Sequence, residues 1–431
     1  MTPQSQFTVV ARVRAGRESA LRALLATMTS QPGMADPKNA LVPFGDFEQL
    51  HFARLVLLDD PTLGDLESYG LPKPRLPVYL AFLGDCDGPA LECLGDIARR
   101  AEAGLRSIFQ HCEDFNGSNL LGWMTAHDLP ISASYVNWVG RTVQQIREES
   151  TLQRALTARV KRAPIVSGAD AQQRRRELIE FVRTETAAGR LRLTPPRPTP
   201  PGWWLARIAN AVVVLGLGLL ALPFLIVLAP FLVLMLRRLE TTDPEICPRP
   251  DSAALLELQL IEDFDVTNQY TALGSVKPGW FRRALLILIL AAIQFACRNI
   301  FTRGYLARVQ TIHFARWVFL DNKARVLFTS NYDGGHQAYM DDFINKVGWG
   351  LNIVFSNGLG WPRTDWLITR GARREMQFKY FQRRHQLPTQ VWYKAYPGIT
   401  LINMTRNARI RAGLECARMS DAEASVWLGL L

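Results

Sequence analysis

The side chains best suited to chemistry in this sequence come in pairs. His51-Phe52-Ala53-Arg54 recurs letter for letter as His313-Phe314-Ala315-Arg316, and each copy runs into an apolar stretch ending in Asp. If that stretch is the first strand of a hairpin, its start lies opposite the end of the second strand. A short turn near Asp321 to Ala324 then sets His313 beside Asn331 to Asp333, and the same pairing sets His51 near Asp87. A His beside a carboxylate can serve as a general base or a metal ligand. It can equally pin strand to turn while the Asp caps the following helix. The duplication favours this second reading, because an active-site pair usually survives in only one copy of a fused repeat.

Arg54 and Arg316 follow those histidines by three residues, which on a regular strand sends them to the opposite face. Both stand among apolar residues, where a guanidinium needs an acceptor. An anionic headgroup, a haem propionate or a partner carboxylate would each serve, and a structural ion pair is the simplest account. A third pair, His127 and His385, precedes Leu-Pro, which forces an extended chain. His385 ends a helical stretch, Ala372 to Arg384, expected in the second copy only, and stands next to the aromatic run Val391 to Pro397. Should a histidine ligate haem or polarise a substrate, His385 or His313 is the candidate. The candidate catalytic set is therefore His313, Asp333, Arg316 and His385. No metal set emerges, and no phosphate-binding glycine loop, serine elbow or HExxH is present.

The elements that position these residues form a duplication. Val13-Arg14-Ala15-Gly16 matches Val276-Lys277-Pro278-Gly279, and Tyr79 to Gly88 matches Arg325 to Gly334. From each Asp-Gly the match continues without a gap through a helical stretch to Gly104-Leu105 and Gly350-Leu351. It then reaches a second apolar run at Ile108-Phe109 and Val354-Phe355. His127-Asp128-Leu129-Pro130 matches His385-Gln386-Leu387-Pro388 further on. Each half reads strand, helix, strand, strand, helix, strand, followed by an extra piece ending in the His-x-Leu-Pro segment, the order of a ferredoxin-like βαββαβ unit. One such sheet carries helices on one face only, so the second sheet covers the other. The fold class expected is α+β, with tandem ferredoxin-like repeats forming a pseudo-dimeric α+β barrel. The halves occupy residues 1–160 and 268–431, the second with an extra C-terminal helix and strand. Asp59 to Pro77 lengthens the hairpin of the first.

Between the halves the composition changes. Residues 161–202 form a basic and proline-rich linker, from Arg174-Arg175-Arg176 to Pro200-Pro201. A membrane segment follows at 203–238, and 239–267 is a connector. Trp203 and Trp204 stand where interfacial anchors sit. From Ile208 to Leu236 the chain has 29 residues of which only Asn210 is polar, closed by Arg237 and Arg238. A span takes about 20 residues and two spans about 40. Since both repeats pack together on one side, a hairpin bending near Pro223 and Pro230 is preferred over a single span. The basic flanks at both ends place them on the cytoplasmic face of the bacterial inner membrane. Ala284 to Ile293 is also apolar all round, but the repeat makes it a fold helix that packs on the membrane segment or dips into the interface.

The chain has 50 Lys+Arg against 39 Asp+Glu, so an anionic partner fits. With a membrane segment present, lipid headgroups account for the charge better than nucleic acid. Six cysteines without C-x-x-C spacing argue against disulfides and zinc, and for a reducing compartment. Met1 to Arg14 lacks the pattern of a secretory signal.

Ile312 to Val318, Ser330 to Gly334, Phe355-Ser356-Asn357 and Pro388 to Tyr393 resemble a largely uncharacterised family of bacterial membrane-associated proteins. The resemblance implies kinship with the dimeric α+β barrel superfamily, which includes dye-decolourising haem peroxidases, chlorite dismutases and cofactor-free monooxygenases. Gly84-Asp85-Cys86-Asp87-Gly88 is similar to the G-x-x-D-G pattern of those peroxidases, in which the Asp assists peroxide cleavage, and haem would then be the cofactor. Two functions are thus expected. One is a membrane-anchored binding or scaffold protein that holds a lipophilic small molecule or a membrane protein, using the space between the sheets or the apolar helix. The other is an oxidoreductase, peroxidase-like or monooxygenase-like, acting on a lipid-soluble substrate.

Overall fold

The computed structural model describes residues 1–162, 170–306 and 308–431. In the first half the chain runs β1 (Gln4–Arg12), α1 (Glu18–Ala26), β2 (Thr29–Gln31), β3 (Gly33–Ala35), β4 (Leu50–Leu58) and β5 (Tyr79–Asp87). It continues through α2 (Ala90–Arg100), α3 (Glu102–Phe109), α4 (Leu120–Ala126), β6 (Ile131–Val136) and α5 (Val143–Arg162). Next come α6 (Ala171–Ala187), α7 (Pro201–Thr242) and α8 (Ser252–Gln259). The second half comprises β7 (Thr267–Ser275), α9 (Trp280–Asn299), β8 (Ile312–Leu320), β9 (Arg325–Asp333), α10 (His336–Phe355), the short β10 (Thr364–Asp365) and β11 (Thr369–Arg370), α11 (Glu375–His385), β12 (Thr389–Lys394), α12 (Leu401–Glu415) and α13 (Asp421–Leu428).

Two main sheets result, ordered β1-β5-β4-β12-β3-β2 and β6-β8-β9-β7. The doubled strands β4 and β8 are apolar on both faces because each sheet looks at helices on one side and at the other sheet on the opposite side. The halves also exchange strands. β12 lies antiparallel to β4, with Trp392 opposite Arg54, and β6 lies antiparallel to β8, with Ser134 opposite Arg316. Neither sheet is complete without the other half. Val10, Val56, Leu83, Leu273, Val318 and Leu327 pack the space between the sheets, so that space is filled rather than open to a ligand.

The β8–β9 turn is as short as expected: Asp321, Asn322 and Lys323 take left-handed backbone, and the Ala324 N–H returns to the Asp321 carbonyl at 3.0 Å. Three expectations need correction. The second apolar run is not a strand, since Ile108-Phe109 ends α3 and Val354-Phe355 ends α10. Leu105, Ile108 and Phe109 are buried at i, i+3 and i+4, the spacing of a helix face. The strands that close each sheet are the later β6 and β12. The helix before His385 is not confined to the second half, because α4 ends just before His127 in the same way. Of the linker, 163–169 lie outside the described residues. The rest is folded onto the protein: Leu178 and Val182 of α6 pack with Leu152, Ile410 and Trp427, and the Thr194 N–H donates to Glu148 at 2.6 Å.

The third correction concerns the membrane segment. No hairpin forms, because Pro201–Thr242 is one helix of 42 residues with Pro223 and Pro230 inside it. A proline removes one helical hydrogen bond and crowds the carbonyl four residues back, which bends a helix without having to end it. A bend is in fact required. Arg207 donates to the Asn299 carbonyl at 3.1 Å, and Asp243, just past the other end, accepts from Arg282 at 2.6 Å. Arg282 and Asn299 stand about 26 Å apart along α9, whereas a straight α7 would separate Arg207 from Asp243 by about 54 Å. Extended side chains bridging helices set about 8–10 Å apart close only about 20 Å of that gap. The helix therefore bows, with both ends on the body and its apolar middle exposed. Two helices, α7 and α9, are long and apolar enough to cross a membrane.

Candidate functional site

Each duplicated histidine meets the carboxylate that the hairpin register assigns to it. His51 Nε2 lies 3.0 Å from Asp87, and His313 Nε2 lies 2.7 Å from Asp333. The second carboxylate oxygen accepts a helix N-terminal N–H, from Val143 of α5 in one half and Leu401 of α12 in the other, at 2.9 and 2.7 Å. The pair therefore fixes the strand end to the C-terminal helix of its own half, not to the helix directly after the turn. The ring environments differ. His51 Nδ1 is 3.2 Å from the Tyr396 hydroxyl, whereas His313 Nδ1 is buried with no partner among the described residues. Burial pushes the Asp333 carboxyl up, but His313, the Leu401 N–H and the Thr267 hydroxyl outweigh that and leave it below the usual carboxylate range. Asp87, the Asp of G-x-x-D-G, is taken up by His51, Gln4 and Val143.

The arginines do not point away from the histidines. A register shift at Leu50/Phe52 and at Ile312/Phe314 resets the alternation, so that both groups face the opposite sheet. The His51 ring lies 5.2 Å from Phe314 and that of His313 lies 5.5 Å from Phe52. Arg316 crosses to the first half and donates to the Phe7 and Gly84 carbonyls, the Thr8 hydroxyl and Asp85. Arg54 makes the mirror set with the Tyr270 and Ser330 carbonyls, the Thr271 hydroxyl and Asn331. The Asn331 amide then donates to Asp85 at 3.2 Å. Asp85 thus pairs directly with Arg316 and reaches Arg54 only through the Asn331 amide. Burial lowers the Arg54 pKa to about 9, Asp85 opposing this and Arg316 adding to it. Of the acceptors considered, the structural ion pair is the one found, for Arg316 with Asp85, and the other half of the chain supplies the acceptors of both arginines. Asp85 and Asn331 escaped the sequence reading, although a buried arginine in each copy already demanded an acceptor from its partner.

His385 lies elsewhere, on the helix-covered face of the second sheet, so the candidate set His313, Asp333, Arg316 and His385 does not converge on one site. Two cavities sit on that face. The larger, about 200 Å³, is lined by apolar residues that include Ile293, Cys297, Ala315, Phe343, Val347 and Leu351. The smaller, about 50 Å³, is lined by Ala272, Gly274, Leu286, Val326, Gly358 and His385 among others. Trp317, Phe328, Val354 and Phe355 line both and form the partition between them. His385 ends α11, stacks on Phe381 at 4.0 Å and donates from Nδ1 to the Phe381 carbonyl at 2.8 Å. Gly274 makes room for the ring, since a Cβ there would come within 2.6 Å of His385 Cδ2. Nε2 is buried and has no partner among the described residues, and burial depresses the imidazole's pKa and keeps it neutral.

That free nitrogen is the one a haem would need, but the group does not fit. About 50 Å³ of space adjoins His385, against the ~300–1,000 Å³ usual for cofactor-sized ligands.

At the start of α7 Trp203 and Trp204 pack edge to face at 5.1 Å, with Arg207 over both rings. Arg238 is exposed, whereas Arg237 is bound to Asp365 at 2.6 Å and lies over Trp366. Glu240, which the sequence did not mark, is buried and accepts from the Thr364 hydroxyl and the Trp366 and Leu367 N–H groups at 2.7 to 2.9 Å. It holds Trp366 and Leu367 in left-handed backbone. Asn352 of α10 grips the same loop through the Ile368 and Arg370 carbonyls. The end of α7 is thereby joined to α10, which walls the larger cavity. Lys277 and Arg282 share Asp243 at 3.4 and 2.6 Å, and burial lowers the Lys277 pKa to about 8.

No family model and no curated protein matches the chain. Among solved structures, a "Putative monooxygenase" from Fusobacterium nucleatum aligns over 93% of this chain and 97% of its own, with 6% identity and a TM-score of 0.32. At that level the likeness carries no argument about fold or activity. The architecture on its own terms is α+β, with mixed sheets and one long apolar helix.

Proposed function

We propose that this is a membrane-attached binding protein that takes a lipophilic small molecule into the apolar space of its second half. The carrying observation is the 200 Å³ cavity, whose walls are apolar throughout and include α9, the helix against which both ends of α7 are tied. The body is read as tandem ferredoxin-like repeats closed into a pseudo-dimeric α+β barrel, with strand exchange welding them together. Because both ends of α7 return to that body, the bowed helix is read as lying in one leaflet's interface and not as crossing the bilayer. Trp203, Trp204 and Arg238 then meet the headgroups, and the basic flanks favour reading the body as lying at the cytoplasmic face of the inner membrane. A lipid-soluble molecule would reach the cavity past α9 without leaving an apolar environment.

Two measurements test this reading. A short bromoalkane should quench Trp317 fluorescence saturably, the signal being isolated by comparison with Trp317→Phe. Ala296→Phe, which fills the larger cavity, should abolish the quenching while leaving Tm within a few degrees. Linear, non-saturable quenching that Ala296→Phe does not change removes the cavity from consideration. In oriented membrane vesicles a protease should reach both halves from the same side; protection of one half alone excludes the in-plane helix.

A further inference from the structure

We infer that the cleft between the start of α1 and the end of α3, in the first half, binds a phosphate monoester whose oxygens accept from Arg14 and Arg17. The site is separate from the cavity of the second half, and the inference does not depend on the binding reading above. The cleft, about 530 Å³, is lined by Arg14, Arg17, Arg106, His111 and Asn116 among others, and no carboxylate lines it among the described residues. Arg106 is taken up by Glu102 at 2.7 Å and by the Gly117 carbonyl. Arg14 is fixed by the Cys112 and Phe115 carbonyls, at 2.9 and 3.3 Å, which leaves its other amino group free. Arg17 is exposed, and neither it nor Arg14 meets a carboxylate among the described residues. His111 registers their field. Burial, Arg17 and Arg14 together hold its imidazole below the ordinary histidine value, and its Nδ1 is buried with no partner among the described residues. A dianion in the cleft would remove that repulsion and accept charge-assisted hydrogen bonds from both guanidiniums.

The second half shows what the fold places at this corner. The bridge from Val13 to Cys112 recurs from Val276 to Gly358, and the Arg14 N–H meets the His111 carbonyl as the Lys277 N–H meets that of Asn357, both at 2.8 Å. Lys277 is therefore the counterpart of Arg14. It lies 3.4 Å from Asp243, which Arg282 also holds at 2.6 Å. That carboxylate arrives from the end of α7, a helix that stands between the halves and has no equivalent before the first. One copy thus carries its own anion at this corner, and the other carries two guanidiniums and an imidazole without one. Two uncompensated positive charges match the two negative charges of a phosphate monoester.

The test uses the full chain in dodecyl maltoside micelles, which carry no phosphate, with methyl phosphate as the probe. Methyl phosphate should bind saturably by calorimetry and shift the ring resonances of His111. Arg17→Gln should weaken binding about tenfold, whereas Arg176→Gln, which removes the same charge from the exposed surface of α6, should leave it unchanged. Asn116→Asp keeps the bonds that its side-chain oxygen accepts from Ser118 and brings a carboxylate into the cleft, so it should abolish binding. Dihexanoyl phosphatidic acid separates the two sources of such a group. An advantage over methyl phosphate that is lost in Arg17→Gln marks a lipid headgroup, and equal affinity marks a free phosphate ester. Absence of saturable binding by both probes, equal weakening by Arg17→Gln and Arg176→Gln, or a His111 ring that does not respond overturns the inference. None of these outcomes touches the cavity of the second half.

Discussion

The two halves of this molecule share one strand plan and differ in what fills the face under the helices. In the first half Val9, Ala11, Leu80, Ile108 and Cys112 are all buried in a continuous core. At the matching positions the second half has Ala272, Gly274, Val326, Val354 and Gly358, each smaller, and these residues line the smaller cavity. The strand registers fix the equivalence: Val9 pairs with Phe82 and Ala272 with Phe328, and the bridge from Val13 to Cys112 recurs from Val276 to Gly358. One copy is thus packed to the density of an ordinary interior, and the other has lost side-chain volume along a single track that leads from His385 toward α9. One unit is thus densely packed while its twin keeps space under its helices.

The largest effect expected lies where the halves are most alike. Arg316 faces Asp85 and Arg54 faces Asn331, so the two arginines make the same bonds to a charged and a neutral partner. Arg316→Met leaves a buried carboxylate without its cation and should cost about 3–5 kcal/mol. Arg54→Met leaves a neutral amide and carbonyls and should cost about 1–3 kcal/mol. Urea denaturation of both variants measures the difference, and equal losses would mean that the charge at Asp85 contributes nothing to the asymmetry.

A reciprocal exchange at the next level probes packing. Val9→Ala opens a hole in the dense half and should destabilise by about 2 kcal/mol. Ala272→Val adds the same two methyl groups where space exists, and should leave Tm unchanged or slightly raised. If Ala272→Val destabilises as Val9→Ala does, the second half is as tightly packed as the first and the cavity does not persist in solution.

How far these contrasts can be read without coordinates depends on the kind of signal. Repetition was readable because it is a property of letters: the His-Phe-Ala-Arg pair, the Asp-Gly ends and the His-x-Leu-Pro segments pointed to the α+β class and to the His–Asp contacts that the structure contains. Strand exchange was not, because a strand's own sequence does not record whose sheet it joins. Ile108-Phe109 was misread as strand because two adjacent apolar residues fit either period, and only Leu105 three residues earlier points to a helix. The β-bulges that bring histidine and arginine to one face leave no mark on an apolar strand. The bow in α7 could be sensed from Pro223 and Pro230, but a hairpin and a bent helix look identical until Arg207 and Asp243 are seen to reach opposite ends of α9. The cavity was visible only as a difference, since Gly274 and Gly358 say little alone and become informative beside Ala11 and Cys112.

The smallest contrast lies in the duplicated His–Asp pairs. Asp87→Asn leaves His51 with the Tyr396 hydroxyl, whereas Asp333→Asn strips His313 of its only side-chain partner among the described residues. Asp333→Asn should therefore cost about 1 kcal/mol more. It also carries a pH signature. Asp333 has a folded-state pKa below its ordinary 3.8, so the folded protein binds fewer protons there than the unfolded chain does once pH falls toward that value. Its contribution is fully present above about pH 5 and is lost progressively as pH drops through the folded pKa. Relative to wild type, Asp333→Asn should be less stable at pH 7, with the gap closing between about pH 4 and pH 2. A gap that stays constant across that range would mean that the pair acts through packing of the His313 ring alone, and that the charge on Asp333 does nothing to hold α12 to the strand end.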